Sequence, residues 1–332
     1  MDRRRFLLTS LAGALAAPLG GEAQARKPVR VGFLSSFPNN PLVGRLQEAL
    51  RARKWAEGRD FVLDIRVTDQ DPERANALAE DLVQQRSDII VTVNTAHALA
   101  AKKATASIPI VMYTSGFPVE AGVVTSLARP GGNVTGLSIY AGGQLFGKYV
   151  ELLREAAPRL RQLAVLWDYA VPAFAEKEID VAVRELRRGA QALRVNVNLR
   201  MVRTDGDVTE ALASVANSSP DALFATGGPI HNRRENAPRI ADFAIRHRLP
   251  MLNEFRGLLF ESGGLLLYAV DPQDLANRTA HFIERISGGA KPAELPIEQP
   301  SRFDLIINLK TAKALGLTIP PALLARADEV IE

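Results

Sequence analysis

The sequence predicts an α/β fold of two doubly wound lobes, each a parallel sheet with helices on both faces. Strand-length apolar runs alternate with amphipathic helical stretches along almost the whole chain, and βα alternation of this kind builds parallel sheets. The alternation runs through four or five units and then restarts midway, which implies two similar lobes rather than one large sheet. The 332 residues are 47% hydrophobic, 23% charged and only 6% aromatic. That balance excludes a disordered, fibrous or multi-span membrane chain and suits Ala-, Leu- and Val-rich helices packed on sheets.

In the first lobe, Val29–Leu34 is a short apolar strand ending in Ser35-Ser36, and Leu42, Leu46, Ala49 and Leu50 follow at helical spacing. Phe61–Val67 alternates as a strand. Asp71-Pro72 opens a helix, with Asp as the cap and Pro at its first position. Asp88–Val93 is a continuous apolar run of the kind buried on both faces, followed by a helix over Ala96–Thr105 and a strand over Ile108–Tyr113. Pro130-Gly131-Gly132 turns the chain into a strand at Val134–Tyr140. In the second lobe, helices are predicted over 143–157, 173–193, 207–217 and 232–247. Strands are predicted at Leu163–Trp167, Val195–Val202, Ala222–Thr226, Pro250–Asn253 and Leu265–Val270. Asp271-Pro272 caps a helix over 272–287; a late strand at Phe303–Asn308 and two helices, Lys310–Leu315 and Pro321–Ala327, complete the chain.

The first 25 residues read as a secretory signal: Arg3-Arg4-Arg5, an apolar run to about Leu19, then the small-residue end Ala23-Gln24-Ala25. The apolar run is too short to span a bilayer comfortably. Arg3-Arg4 followed by Phe6-Leu7 also fits the twin-arginine export signal. Removal at Ala25 leaves a periplasmic protein.

Ligands of open parallel sheets bind beyond the carboxyl ends of the strands. Two such lobes facing one another enclose a cleft, and its candidate binding residues follow from the strand ends. The first lobe contributes Ser35, Ser36 and Phe37, then Asn94 and Thr95, then Tyr113, Thr114 and Ser115 with Phe117 just beyond, and Ser138 and Tyr140 at its last strand. The second contributes Trp167 and Asp168, Thr226 and Gly227, Asn253 and Glu254, and Tyr268. These loops hold hydroxyls, amides and rings but no Lys or His, so helix starts and hydroxyls are the expected partners of an anionic group. Asp168 or Glu254 would meet an ammonium. The rings at strand ends suit a flat apolar ligand.

Several stretches resemble one family closely: Ser126–Gly136 (SLARPGGNVTG), Gly288–Pro296 (GGAKPAELP) and Asp304–Leu317 (DLIINLKTAKALGL). The chain from Val29 to Glu332 resembles the ABC-transporter substrate-binding proteins of the tryptophan-binding (TrpX-like) kind, with the type I periplasmic binding fold. The resemblance implies a monomeric periplasmic receptor without catalysis, delivering a small molecule to an ABC permease in the inner membrane. It also implies three crossings between lobes, placed near 140, 270 and 300. The first lobe is then 28–140 plus 271–298 and the second 141–270 plus 299–332. Relatives carry Asp-Pro-Val where this chain reads Phe117-Pro118-Val119. That departure brings aromatic acids beside aromatic amino acids as expected ligands.

Other functions are weighed on the same residues. An exported enzyme on this scaffold needs a nucleophile and base in the cleft, and no G-x-S-x-G is present. A ligand-presenting sensor subunit is indistinguishable by sequence. Gly142–Lys148 matches G-x-x-x-x-G-K, but Tyr149 follows where Mg²⁺ coordination needs Ser or Thr, so a helix start is the simpler reading. The chain has no Cys, and His97, His231, His247 and His281 lack metal-ligand spacing; no metal and no cofactor are expected. The formal charge of +4 is interspersed rather than blocked, which gives no nucleic-acid footprint. With little beyond ligand contacts expected between them, the lobes should rest open.

Overall fold

The computed structural model describes residues 27–69, 71–140, 144–169 and 176–332. The signal sequence, Gly142 and Gly143 and the predicted start of the 173–193 helix lie outside them. The chain forms two sheets, the first ordered β2-β1-β3-β4-β5 and entirely parallel. Its strands are β1 (Val29–Ser35), β2 (Phe61–Val67), β3 (Ile89–Thr92), β4 (Ile110–Met112) and β5 (Val134–Gly136), connected through α1 (Pro41–Ala52), α2 (Pro72–Gln84) and α3 (Thr95–Ala104). Each helix start is written in the sequence. Asn40 caps α1 by accepting from the Leu42 amide, Asp71 caps α2 through Glu73 and Arg74, and Asn94 caps α3 through His97 at 2.7 Å.

The second sheet runs β12-β11-β10-β9-β8-β6-β7. Its strands are β6 (Gln162–Asp168), β7 (Asn196–Val202), β8 (Ala222–Ala225), β9 (Met251–Asn253), β10 (Leu266–Val270), β11 (Phe303–Asn308) and β12 (Glu329–Ile331). Around it lie α4 (Gln144–Ala156), α5 (Glu176–Ala192), α6 (Asp205–Ser218), α7 (Ala237–Arg246) and α8 (Leu258–Gly263). The helix α9 (Pro272–Ser287) packs back on α1 and β4 of the first sheet, while α10 (Leu309–Leu315) and α11 (Pro321–Leu324) close the second.

Strand parity decides which core each side chain enters, because successive residues point to opposite faces. In β6, Leu163, Val165 and Trp167 join the cluster under α4 and α5, whereas Ala164 and Leu166 join the one under α6 and α7. Val31 and Phe33 of β1 face α1 and α9, and Leu34 faces α2 and α3. Each sheet therefore has two cores, as a doubly wound fold requires.

The structure adds detail in three places. Strand β11 is antiparallel to β10, with Val270 opposite Phe303, so the second sheet is not wholly parallel. The chain leaves the second sheet at Val270, builds α9 against the first, and returns at Phe303 from the same side, so it must run the opposite way. Helix α8 and strand β12 carry no sequence signal, being six and three residues long with no N-cap side-chain bond or alternation to mark them. The glycine of the G-x-x-x-x-G-K stretch that lies in α4, Gly147, faces Gly189 of α5, where an added Cβ would come within 2.5 Å of the Gly147 Cα. That glycine thus permits close helix packing.

Candidate functional site

Residues just beyond the carboxyl ends of β3, β4 and β6 meet residues of the other sheet's lobe, and the predicted residues divide into three groups. On the first lobe, Thr95 at the start of α3 is buried, its Oγ1 lying 2.7 Å from Ser115 Oγ and accepting from the Gly116 amide. Ser138 is fully buried and donates to the Gly116 carbonyl, and Thr114 bonds the Val93 carbonyl. Ser36 is half-buried and accepts from Asn94 Nδ2 at 3.2 Å. Ser35 turns back onto the Phe37 carbonyl at 2.8 Å, and Phe37 stands exposed at the rim. Tyr113 points away from the cleft: its ring packs edge-on against Phe33 and its hydroxyl donates to the Leu42 carbonyl, with burial holding the phenol well above its usual range.

On the second lobe, Trp167 is 3% exposed and stacks on Phe146 at 6.1 Å, and its Nε1 has no hydrogen-bond partner. Asp168 receives the His231 amide at 2.7 Å, while the Asp168 amide donates to Thr226 Oγ1 at 2.8 Å. Gly228 lies so close to the Asp168 carboxyl that a Cβ there would come within 2.2 Å of it. His231 donates from Nδ1 to the Thr226 carbonyl and leaves Nε2 unpartnered; burial lowers its pKa, so the ring is neutral. Glu254 Oε1 accepts from the Gly227 amide at 3.1 Å, and its enclosed Oε2 has no partner. Asn253 donates to the Ala225 carbonyl, its Oδ1 turned toward Gly264. Tyr268 stacks on Phe303 at 5.3 Å, farther along the sheet, and meets Tyr149 edge-on.

The third group lies between the lobes. Phe117 belongs to the first by sequence, yet its ring is buried against Tyr140 (5.8 Å) and Phe146 (6.3 Å), in the core that also holds Trp167. Glu178, in the first turn of α5, crosses to accept from Thr95 and from the Phe117 amide. Sequence reasoning missed Glu178 and Phe146. The signal for Glu178 was its place on the buried stripe Glu178, Ala182, Leu186, Ala190, at the helical repeat. His97 lies inside the first lobe between Thr68 and the Leu34 carbonyl, its pKa pushed down to about 4 by burial.

Burial, with the nearby Asp168 adding to it, raises the Glu254 pKa from 4.5 to about 8. The folded form therefore holds a proton that the unfolded chain has released between these values, and stability falls as pH rises through that window. Glu254→Gln is expected to leave stability unchanged near pH 4.5 and to raise it progressively above wild type toward pH 8. Thermal melting of both proteins across this range checks it; a difference independent of pH would refute the buried-acid reading. Among the described residues, no group of three or more His, Asp or Glu is placed to hold a metal ion.

Two α/β sheets, each with helices on both faces and joined by more than one crossing of the chain, are an architecture that solute-binding proteins use. Residues 38–331 match the family of ABC transporter substrate binding proteins, and the chain belongs to that family. It is a family of binding proteins, not of enzymes. The chain is 25% identical over 310 residues to a tyrosine-binding protein of Clostridioides difficile (strain R20291), covering 92% of this chain and 86% of that one. A Streptococcus pneumonia ABC domain solved in complex with L-Trp superposes with a TM-score of 0.79 at 25% identity, over 92% of this chain and 100% of that chain. A leucine-binding protein of Thermotoga maritima shares the fold, with a TM-score of 0.57 at 16% identity over 77% and 83% of the two chains. The type I periplasmic binding fold is thus established. No described helix is long and apolar enough to cross a membrane.

Proposed function

We propose that this protein is the periplasmic receptor of an ABC importer and binds an aromatic amino acid or a related aromatic acid between its lobes. The observation that supports this most is a set of orphaned polar atoms beside a wall of rings: Trp167 Nε1 and Glu254 Oε2 are buried without partners, next to Phe117, Tyr140 and Phe146. Buried polar atoms cost free energy unless bonded, so unpaired ones at the strand ends of a binding protein suit a ligand that brings an acceptor to the indole and a donor to the carboxyl. The relatives that bind tyrosine and L-Trp are consistent with this chemistry. The lobes are 28–140 plus 271–298 and 141–270 plus 299–332. Export follows the signal at residues 1–25, by the Sec or the twin-arginine route, and the receptor acts as a monomer that docks on an inner-membrane permease.

The ammonium of an amino acid would seat on Glu254, and a cation there pulls the carboxyl pKa down from about 8. Binding of L-tyrosine or L-tryptophan at pH 7 should then release about one proton, read by calorimetry in buffers of different ionisation enthalpy. Binding of either amino acid without proton release would place its ammonium away from Glu254; no binding of any aromatic amino acid or aromatic acid refutes the proposal. Ser36, which accepts from Asn94 and so directs its own hydrogen elsewhere, would donate to the ligand's anionic group. Ser36→Ala is expected to weaken binding by about 1 kcal/mol, the scale of one hydrogen bond. An unchanged Kd by calorimetry would move the anion away from this loop.

A further inference from the structure

The lobes touch through more than the covalent crossings. Glu178, carried by α5 of the second lobe, has no exposed surface, and its Oε1 lies 2.8 Å from Thr95 Oγ1 and 2.6 Å from the Phe117 amide nitrogen. The donors can be assigned. A carboxylate accepts, so Thr95 gives its hydroxyl hydrogen to Glu178. Thr95 Oγ1 then receives hydrogens from Ser115 Oγ at 2.7 Å and from the Gly116 amide at 3.2 Å. The result is a polarised relay that runs from Ser115 through Thr95 to Glu178, with every hydrogen directed at the second lobe's carboxylate. Phe117 is held twice: its amide by Glu178, and its ring by the second lobe's Phe146 and by Tyr140, where the chain leaves the first sheet.

We propose that Glu178 and Phe117 form a closure latch that holds the two lobes together without ligand, Glu178 filling the hydroxyl-and-amide receptor of the first lobe that a ligand carboxylate would otherwise take. Two buried contacts of different chemistry, the hydrogen bond from its amide to Glu178 and the stacking of its ring on Phe146, converge on Phe117 of the opposite lobe. Breaking a buried hydrogen bond leaves its donor and acceptor unsatisfied at a cost, so these bonds oppose opening. The closed arrangement is therefore populated before ligand arrives, and incoming ligands are selected by which polar atoms remain. Thr95 and the Phe117 amide are taken, so the ligand's anionic group is left to Ser36 and the indole of Trp167. Only this last consequence rests on the proposed ligand class; the latch itself does not.

The test uses ligand-free protein, so that a wrong ligand assignment and a failed latch are seen separately. Small-angle scattering and hydrogen exchange are measured on wild type, Glu178→Ala, Glu178→Gln and Thr95→Val. Glu178→Ala should show a larger radius of gyration and faster exchange of the Phe117 amide by about tenfold or more, as expected when a local opening loses its closing contact. Glu178→Gln keeps an oxygen that can accept both bonds and should stay near wild type. Thr95→Val removes one donor from the other lobe and should open the protein less than Glu178→Ala, and combining the two should add nothing. If Glu178→Ala does not fold, Thr95→Val decides. Wild-type compactness and wild-type Phe117 exchange in the variants would overturn the latch.

Discussion

Trp167→Ala should weaken binding of the aromatic ligand by about 2–4 kcal/mol, the range of a buried aromatic anchor, or roughly thirty- to several-hundred-fold in Kd. Parity puts Trp167 on the face of β6 that also carries Leu163 and Val165, so the indole enters the core under α4 and α5 and stacks on Phe146. It does so at the last turn of the strand before the cleft, with Nε1 buried and unpaired. The substitution thus removes a ring face and the one donor the indole offers. It also opens a large cavity, and loss of a buried Trp costs about 3–5 kcal/mol of folding stability. Binding is therefore measured by calorimetry well below the melting temperature of the variant. Trp167→Phe separates the contributions: a ring remains against Phe146 and only the donor is lost, so the expected cost is about 1 kcal/mol. If Trp167→Ala binds as tightly as wild type, the rings at this strand end are core and the ligand is held by other loops.

Gly136→Ala is expected to be the most damaging small substitution in the first lobe. Gly136 ends β5 beside Met112 of β4, at a φ of +123°, and a Cβ would stand 2.3 Å from the Met112 carbonyl oxygen and 2.4 Å from its nitrogen. Both atoms are backbone and cannot swing aside. Strain at such a φ costs about 1–3 kcal/mol and a methyl forced into filled space about 1–3 more, giving a loss of about 2–6 kcal/mol. The next residues carry the chain out of the first sheet, with the Leu137 amide on the Met112 carbonyl and the Ser138 amide on the Glu298 carbonyl. Displacing Gly136 therefore disturbs the position of Ser138 and Tyr140 as well. Gly122→Ala is the control, since Gly122 also has a positive φ, +77°, but nothing lies within 4 Å of the added carbon. Urea unfolding should show a far larger loss for Gly136; equal losses would mean that conformational strain alone matters at both glycines.

The fold was readable because parallel strands buried on both faces are continuous apolar runs, and because Asp71-Pro72 and Asp271-Pro272 announce their helices. Asp271 accepts from the Gln273 amide at 2.7 Å, which makes it the cap it resembled. Direction was less legible: nothing in Phe303–Asn308 says that β11 runs against β10, because direction is set by where the chain returns from, not by the strand's own residues. The cleft was legible only as a set of strand ends. Tyr113 and Trp167 both end strands, yet one ring fills the first lobe's core and the other borders the orphaned polar atoms, a difference of packing that spacing along the chain does not encode. Glu178 sits among Glu176, Lys177 and Asp180, and composition makes all four a solvated helix face. Its place on the stripe with Ala182, Leu186 and Ala190 marks it as buried, but its role comes from its partner in the other lobe, Thr95, 83 residues away.

Whether the cleft is built for a flat, ring-bearing ligand is tested most directly by thermal shift of the purified protein against four sets of compounds: aromatic amino acids, aromatic acids, branched-chain amino acids and nucleobases. A ligand that binds only the folded state raises its stability as RT ln(1 + [L]/Kd), about 2.7 kcal/mol at a hundredfold excess over Kd. A concentration-dependent rise in melting temperature with an aromatic amino acid or an aromatic acid, and none with the branched-chain set, is the expected result. A rise with branched-chain amino acids or nucleobases while every aromatic amino acid and acid leaves the transition unmoved would contradict it.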